Sequence, residues 1–313
     1  MTTVKPEALL PKGATSDVAD LIGTRFSARY LDVTKASRAL AHLAGAKRSR
    51  RRGRGVEFDE VRQYTAGDDV RSIDWRVTAR SGSAHTKLFH EERERPVLVA
   101  VDLRRSMQFG SRNCFKSVLA AHTASLLLWS ALDRGERVGG MVVRGSQVSD
   151  YRPARSRHTV LSLIGEMTTP HRAGEQEIET PMAEQLRQLR RIARPGSALF
   201  IISDFHEGLE ESALEPLRQL AKHVQITAIA VHDPLEQELP LAGRYVVADD
   251  LGRSALNTHS SSLRSHYRAV YEQQIADLTS ALQGLRIPLI RMRTDEPPLP
   301  TLQRYFPARQ TGR

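Results

Sequence analysis

Apolar residues fall along this chain in two rhythms. Short continuous apolar runs recur at 97–102 (VLVAVD), 137–143 (RVGGMVV), 198–204 (ALFIISD) and 225–233 (QITAIAVHD), and between them apolar residues return every three or four positions. A continuous run reads as a strand covered on both faces, and the longer spacing reads as a helix with one buried stripe. The pattern predicts helices over 113–132, 159–167, 181–193, 211–223 and 267–285, with shorter strands at 147–153 and 288–291. Strands alternating with helices define an α/β protein with a doubly wound, mostly parallel sheet. Three of its strands end in an acid, Asp102, Asp204 and Asp233. Open sheets of this kind bind ligands outside the carboxyl ends of their strands, where the next helix points its amino terminus at the crevice.

Upstream of residue 96 the rhythm changes. A polar tail over 1–17 leads into one or two amphipathic helices over 18–45, and a basic loop, KRSRRRGRG, follows. From 56 to 94, Val56, Phe58, Val61 and Tyr64 alternate with charged residues, Ala66-Gly67-Asp68-Asp69 supplies a turn, and 86–92 reads as another extended segment. This gives three regions: a helical and basic segment (1–55), a β-rich annex (56–95) and the large α/β domain (96–313). An annex of about 40 residues is too small for a stable core of its own, so it is expected to fold together with the rest. Trp75 is expected to anchor the annex core. Asp68, Asp69 and Asp74 with Arg71, Arg76 and Arg80 read as turn caps and surface pairs.

Composition narrows the function classes. With 40% hydrophobic and 26% charged residues the chain has the balance of a soluble globular protein. Its longest apolar stretch, 117–132, is interrupted by His122, Ser125 and Ser130 and falls short of the roughly 18 residues of a membrane span. The first residues lack the apolar core of a signal peptide, and the expected location is the cytoplasm, with no membrane insertion. One cysteine, Cys114, leaves no internal disulfide and reads as a packing residue. The net charge of +10 raises nucleic acid as a partner, but much of it sits in Lys47, Arg48, Arg50, Arg51, Arg52 and Arg54, with no aromatic residues between them. These six are assigned instead as an interaction surface for an acidic protein face.

Candidate chemistry lies at the strand ends. Asp102, Ser106 and Asp204 form a hard-oxygen set of the kind that suits Mg²⁺. A hydrolase built from Ser203, Asp204 and His206 is the competing enzymatic reading. It lacks a glycine-flanked nucleophile elbow, and its serine falls inside a buried strand pattern. His171, His206 and His232 read as loop residues at the surface. No phosphate-binding G-x-x-x-x-G-K-[ST] loop occurs in the sequence.

The run D-L-R-R-S (102–106) before a helix, with I-S-D (202–204) closing a later strand, resembles the metal-ion-dependent adhesion site of von Willebrand factor A domains. The wider frame is G-x-E-F-x-x-x-R-x-Y (55–64), G-D-D-x-R-x-I-D-W (67–75), Ala79-Arg80, S-M-x-F-G (106–110) and D-P-x-E-x-x-L-P (233–240). It is similar to the bacterial family named domain of unknown function 58. That resemblance implies a von Willebrand A-like domain without catalytic activity. It also implies an interaction adaptor that works with a MoxR-type AAA+ ATPase in assembly or maturation of a client protein.

This sequence departs from the adhesion-site pattern at Arg104, which stands where a complete site has a serine. A guanidinium cannot ligate a cation, and at 4 Å, with an effective dielectric near 20, it repels each unit of positive charge by about 4 kcal/mol. Magnesium is therefore disfavoured and no cofactor is expected. Arg104 is expected to act as an internal cation, bridging Asp102 or Asp204 in the metal's place. The threonine of a complete site has three candidates, Thr168, Thr169 and Thr180. Asp204→Ala is expected to weaken partner binding with little change in thermal midpoint.

Overall fold

The computed structural model describes residues 10–35, 37–45, 61–65, 73, 75–87, 95–169, 179–249 and 252–308. The basic-loop surface (Lys47, Arg48, Arg50, Arg51, Arg52, Arg54) lies outside the described residues, as do Asp68, Asp69, Arg71, Asp74 and His171. The chain divides into two compact units, 49–94 and a larger one made of 1–48 with 95–313. The amino-terminal helices thus belong to the same unit as the central sheet, although the sequence division sets 1–55 apart.

Those helices are three short pieces, α1 (Val18–Gly23), α2 (Arg25–Ala28) and α3 (Arg38–Leu43). The cause is local. Asp17 caps α1 by accepting from the Ala19 and Asp20 amides, and a turn built on the Asp32 carboxylate, which accepts from the Thr34 amide and hydroxyl, breaks the helical path before Ser37 caps α3. The segment is tied to the far end of the chain, because the Asp32 amide donates to the Phe306 carbonyl and the Ser37 amide to that of Tyr305.

The smaller unit holds β1 (Val61–Gln63), α4 (Trp75–Ser81) and β2 (His85–Lys87), with β1 and β2 antiparallel. Trp75 corrects the sequence reading. It opens a helix that buries none of its residues, and it is 67% exposed, so it does not anchor a core.

In the larger unit come β3 (Val97–Asp102), α5 (Lys116–Asp133), β4 (Val138–Arg144), β5 (Gln147–Ala154), α6 (Arg157–Thr168) and α7 (Met182–Ile192). Then follow β6 (Ala198–Ser203), α8 (Glu211–Ala221), β7 (Gln225–His232), α9 (Pro234–Gln237), β8 (Arg244–Asp249), β9 (Gly252–Asn257), α10 (Ser261–Gly284), β10 (Leu289–Arg293) and α11 (Pro298–Tyr305). Six strands form the central sheet in the order β10-β7-β6-β3-β4-β5, parallel except for β5, which runs antiparallel to β4 at the edge. This is the doubly wound, mostly parallel arrangement of a von Willebrand A-like domain.

Side chains of β3 alternate between two cores. Val97, Val99 and Val101 join α5, α6 and α11 on one face, and Leu98 and Ala100 join α7, α8 and the end of α10 on the other. Gly140 lets β4 lie against β3, since a Cβ there would fall 2.2 Å from the Val99 carbonyl oxygen. The β8–β9 hairpin has no counterpart in the sequence reading, and α10 begins six residues before its expected start, where its turns are mostly exposed and the apolar period fades. No helix among the described residues is long and apolar enough to cross a membrane.

Candidate functional site: a strand-end crevice filled from within

The order of the sheet reverses at β3. The chain passes from β3 to β4 on one side and later returns to place β6 on the other, which makes the β3–β6 carboxyl ends the switch point where such sheets bind ligands. Asp102 stands at the end of β3 and Asp204 just after β6.

Asp102 is buried and fully engaged. One oxygen accepts from the Arg104 amide and Nε, both at 3.0 Å, and the other from Arg104 Nη2 at 3.0 Å and the Ser203 hydroxyl at 2.7 Å. Arg104 is itself 2% exposed, and its remaining Nη1 donates to the Thr180 carbonyl at 3.3 Å and to Glu207 Oε1 at 3.1 Å. Burial pulls the Arg104 pKa down, but the hydrogen bonds and charge of Asp102, then of Glu207, outweigh it and hold the guanidinium firmly protonated.

Asp204 has a cation of its own. Lys116, the first residue of α5, is 1% exposed and donates through Nζ to Asp204 at 2.7 Å and to Glu236 at 2.5 Å. Asp204 also accepts from the His206 amide at 3.1 Å, and the Ser106 hydroxyl beside it helps to lower its pKa. Burial pushes the Asp204 carboxyl up, yet the Lys116 ammonium overrides this and the net displacement is downward. For Lys116, burial lowers and the two carboxylates raise, with a net rise. Phe205 between these groups has φ +50, a left-handed conformation that costs on the order of 1 kcal/mol for a non-glycine residue.

Asp233 does a different job. It accepts from the Leu235 amide at 2.9 Å, the Ser111 amide at 2.9 Å, the Ser111 hydroxyl and the Thr294 hydroxyl at 2.5 Å, while Glu236 closes a capping box on the Asp233 amide at 2.8 Å. Burial raises its pKa, and these hydrogen bonds more than reverse that.

The structure therefore brings Asp102, Ser106, Arg104 and Asp204 to one place, with Arg104 on Asp102 and not on Asp204. Thr180 contributes a backbone carbonyl, whereas the Thr168 and Thr169 hydroxyls bond to carbonyls within α6. A divalent ion does not fit this donor set, because both carboxylates already hold buried cations that it would have to displace. Ser203 is fully buried, donates to Asp102 and accepts from the Phe205 amide, which is no posture for a nucleophile. His206 is exposed, as the sequence reading expects; His232, 7% exposed, is not a surface residue. Cys114 is buried, and burial, helped by Asp233, pushes its thiol up to about 12.

Sequence reasoning missed Lys116, Glu207 and Glu236. Two had a signal. A lysine in the first turn of a helix opposes the helix dipole and calls for a local anion. Asp233-Pro234-Leu235-Glu236 has the spacing of a capping box. Glu207 reaches Arg104 from a loop across a long sequence separation, which no local pattern reports.

Fold and site together define an α/β protein of the von Willebrand A-like type whose switch-point crevice is closed by two internal cations. The chain belongs to the family described as protein of unknown function DUF58, whose family model matches residues 60–277. Uncharacterized proteins of Mycobacterium bovis and Mycobacterium tuberculosis are each 32% identical to it over 265 residues, covering 83% of this chain and 81% of theirs. Among solved structures, the conserved hypothetical protein BatB from Bacteroides thetaiotaomicron overlaps 61% of this chain and 98% of its own at 18% identity and a TM-score of 0.37. An aerotolerance-related membrane protein from Bacteroides fragilis overlaps 59% and 99% at 15% identity and the same TM-score of 0.37. Overlaps this loose bear on neither the details of the site nor its function.

Proposed function

We propose that this chain is a non-enzymatic interaction adaptor that works in the cytoplasm with a MoxR-type AAA+ ATPase in the assembly or maturation of other proteins, without a divalent metal. The observation that carries this reading is the filling of the switch-point crevice by Arg104 and Lys116. Reaction chemistry there would need a free carboxylate, an open coordination position or an exposed nucleophile, and Asp102, Asp204 and Ser203 are all engaged. What the crevice offers is its rim, where Glu207 is 47% and Phe109 36% exposed over a rigid, charge-paired floor. A rigid floor under a mixed acidic and aromatic rim suits recognition of a protein surface. The ATPase as partner is supported by the family resemblance.

The test is capture from native bacterial cytoplasm on the immobilised full-length chain, comparing the unmodified protein with Phe109→Asp and Glu207→Arg. Recovery of an AAA+ ATPase that both rim variants lose is the expected result; Phe109→Asp should keep the thermal midpoint, whereas Glu207→Arg sets a like charge beside Arg104 and should lower it, so its fold is checked by circular dichroism. Recovery that is lost with added salt but not in the rim variants would move the interface to the basic loop, since exposed charges are screened within about 8–10 Å at physiological ionic strength. Capture of nucleic acid, with no ATPase, would replace the adaptor reading by the nucleic-acid one.

A further inference from the structure

A separate cluster of polar side chains stands at the carboxyl ends of β7 and β10 under α10. The parallel register sets His232 beside Arg293 and Ala230 beside Arg291, so His232, Arg291 and Arg293 leave the sheet on one face. Tyr271 of α10 lies over the His232 ring with centroids 6.1 Å apart, and Arg291 Nη2 donates to the Tyr271 hydroxyl at 3.0 Å.

The hydrogen-bonding capacity of this cluster is incomplete in one direction. Arg293 is committed to Asp295 through Nε at 2.9 Å and Nη2 at 2.8 Å. Arg291 has no carboxylate partner among the described residues, and its contacts are the Tyr271 hydroxyl and ring. The Tyr271 hydroxyl accepts from Arg291, and its own proton has no acceptor among those residues. His232 is 7% exposed, and its buried Nδ1 has no hydrogen-bond partner there. Ala230's backbone favours the protonated ring, yet no acceptor stands in hydrogen-bond geometry to Nδ1. Buried polar groups are nearly always paired, so the orphaned Nδ1 of His232, set beside the half-buried Tyr271 hydroxyl and the solvent-reaching Arg291 guanidinium, points to an absent acceptor.

We infer that His232, Tyr271 and Arg291 form a binding site for a phosphate-class dianion, either free phosphate or a terminal phosphomonoester. Three donors on three elements match a tetrahedral group, because the guanidinium fork takes two oxygens and leaves a third for the tyrosine and imidazole. The nearby carboxylates do not compete: Asp233 is turned to Ser111 and Thr294, Asp295 to Arg293 and Arg112, Glu296 to Arg293, and Glu236 to Lys116. Burial, Arg291 and Arg293 hold His232 down to about 4, so a phosphate anion beside Arg291 favours its protonated form and raises that value.

The test is an NMR titration of the full-length protein with inorganic phosphate and, separately, with glycerol phosphate, following the His232 ring, Tyr271 and the Arg291 side chain. Saturable shifts with a rise in the His232 pKa are expected, weakened about tenfold or more in Arg291→Gln, an exposed position where the fold is kept. Tyr271→Phe, which removes only the hydroxyl, should weaken binding less. Tighter binding of inorganic phosphate would assign free phosphate as the ligand; tighter binding of glycerol phosphate would assign a phosphomonoester. Shifts that do not saturate, or that are equal in Arg291→Gln, would overturn the site.

Discussion

At the β3–β6 termini each buried cation meets more carboxylate than it needs: Arg104 has Asp102 and Glu207, and Lys116 has Asp204 and Glu236. At the neighbouring β7–β10 termini the imbalance runs the other way, with Arg291, the Tyr271 hydroxyl and His232 short of acceptors. Both regions lie where a parallel sheet offers a ligand site, but the floor of the first is charge-paired within itself, whereas the second keeps donors in excess among the described residues. A strand-end acid is thus no sufficient sign of a metal site. The cations that the same fold buries beside it decide whether it remains available.

The comparison can be broken most forcefully at Asp204. Asp204→Ala leaves the buried Lys116 with Glu236 alone, so it should cost about 3 kcal/mol in urea denaturation, the low end of what breaking a buried ion pair costs. The sequence reading, which treats Asp204 as an open crevice residue, expects almost no change. Adding Lys116→Met should restore part of the loss, because the fully buried ammonium is then gone and Glu236, which loses its cation, is partly open to solvent. An intact midpoint for Asp204→Ala would mean that Lys116 is not committed to it.

Acid separates the two regions next. His232 is neutral in the fold, down at about 4 against an ordinary 6.5, so the unfolded chain takes the proton first as pH falls. Stability should drop between pH 6.5 and 4 by about 3 kcal/mol through His232 and level off below that range. His122, also at about 4 through burial, adds a drop in the same window, so the diagnostic is the flattening produced by His232→Gln. Asp204 behaves differently. Its pKa lies below the ordinary 3.8, so the stability it contributes is present above that value and is lost only as pH falls through its lower folded value. A stability profile with one acid transition, unaffected by His232→Gln, would contradict the separation.

The smallest expected effect concerns the other unit. Trp75 is 67% exposed on α4, and Trp75→Ala should change stability by no more than about 0.5 kcal/mol. A loss of several kcal/mol would restore it as a core anchor.

Much of this fold was legible because parallel strands covered on both faces leave continuous apolar runs: VLVAVD, ALFIIS and QITAIAVH are β3, β6 and β7. The β8–β9 hairpin was not: 245–248 is an apolar run, but it is short, and the strand residues whose burial is described are mostly exposed. Asp102, Arg104, Ser106 and Asp204 were legible from strand ends and motif, and so was the charge logic that puts a guanidinium beside a carboxylate. Which carboxylate Arg104 takes depends on the side chains packed around the crevice. Lys116, at the start of α5, holds Asp204, and Arg104 holds Asp102, two residues before it in the chain. The inward turn of His232 likewise goes with Tyr271 of α10 lying against its ring, a contact across a long sequence separation that no local spacing encodes.

Because Lys116 holds Asp204, Arg104→Ser alone should not create a magnesium site, although the adhesion-site pattern would then be restored in sequence. The most direct test of a crevice filled from within is calorimetric titration of Mg²⁺ and Mn²⁺ into the unmodified protein and into Arg104→Ser, with thermal denaturation alongside. No heat and no shift of Tm in either protein is the expected result. Micromolar binding by the unmodified chain, with the stabilisation that mass action requires, would contradict it and return Asp102, Ser106 and Asp204 to the role of metal ligands.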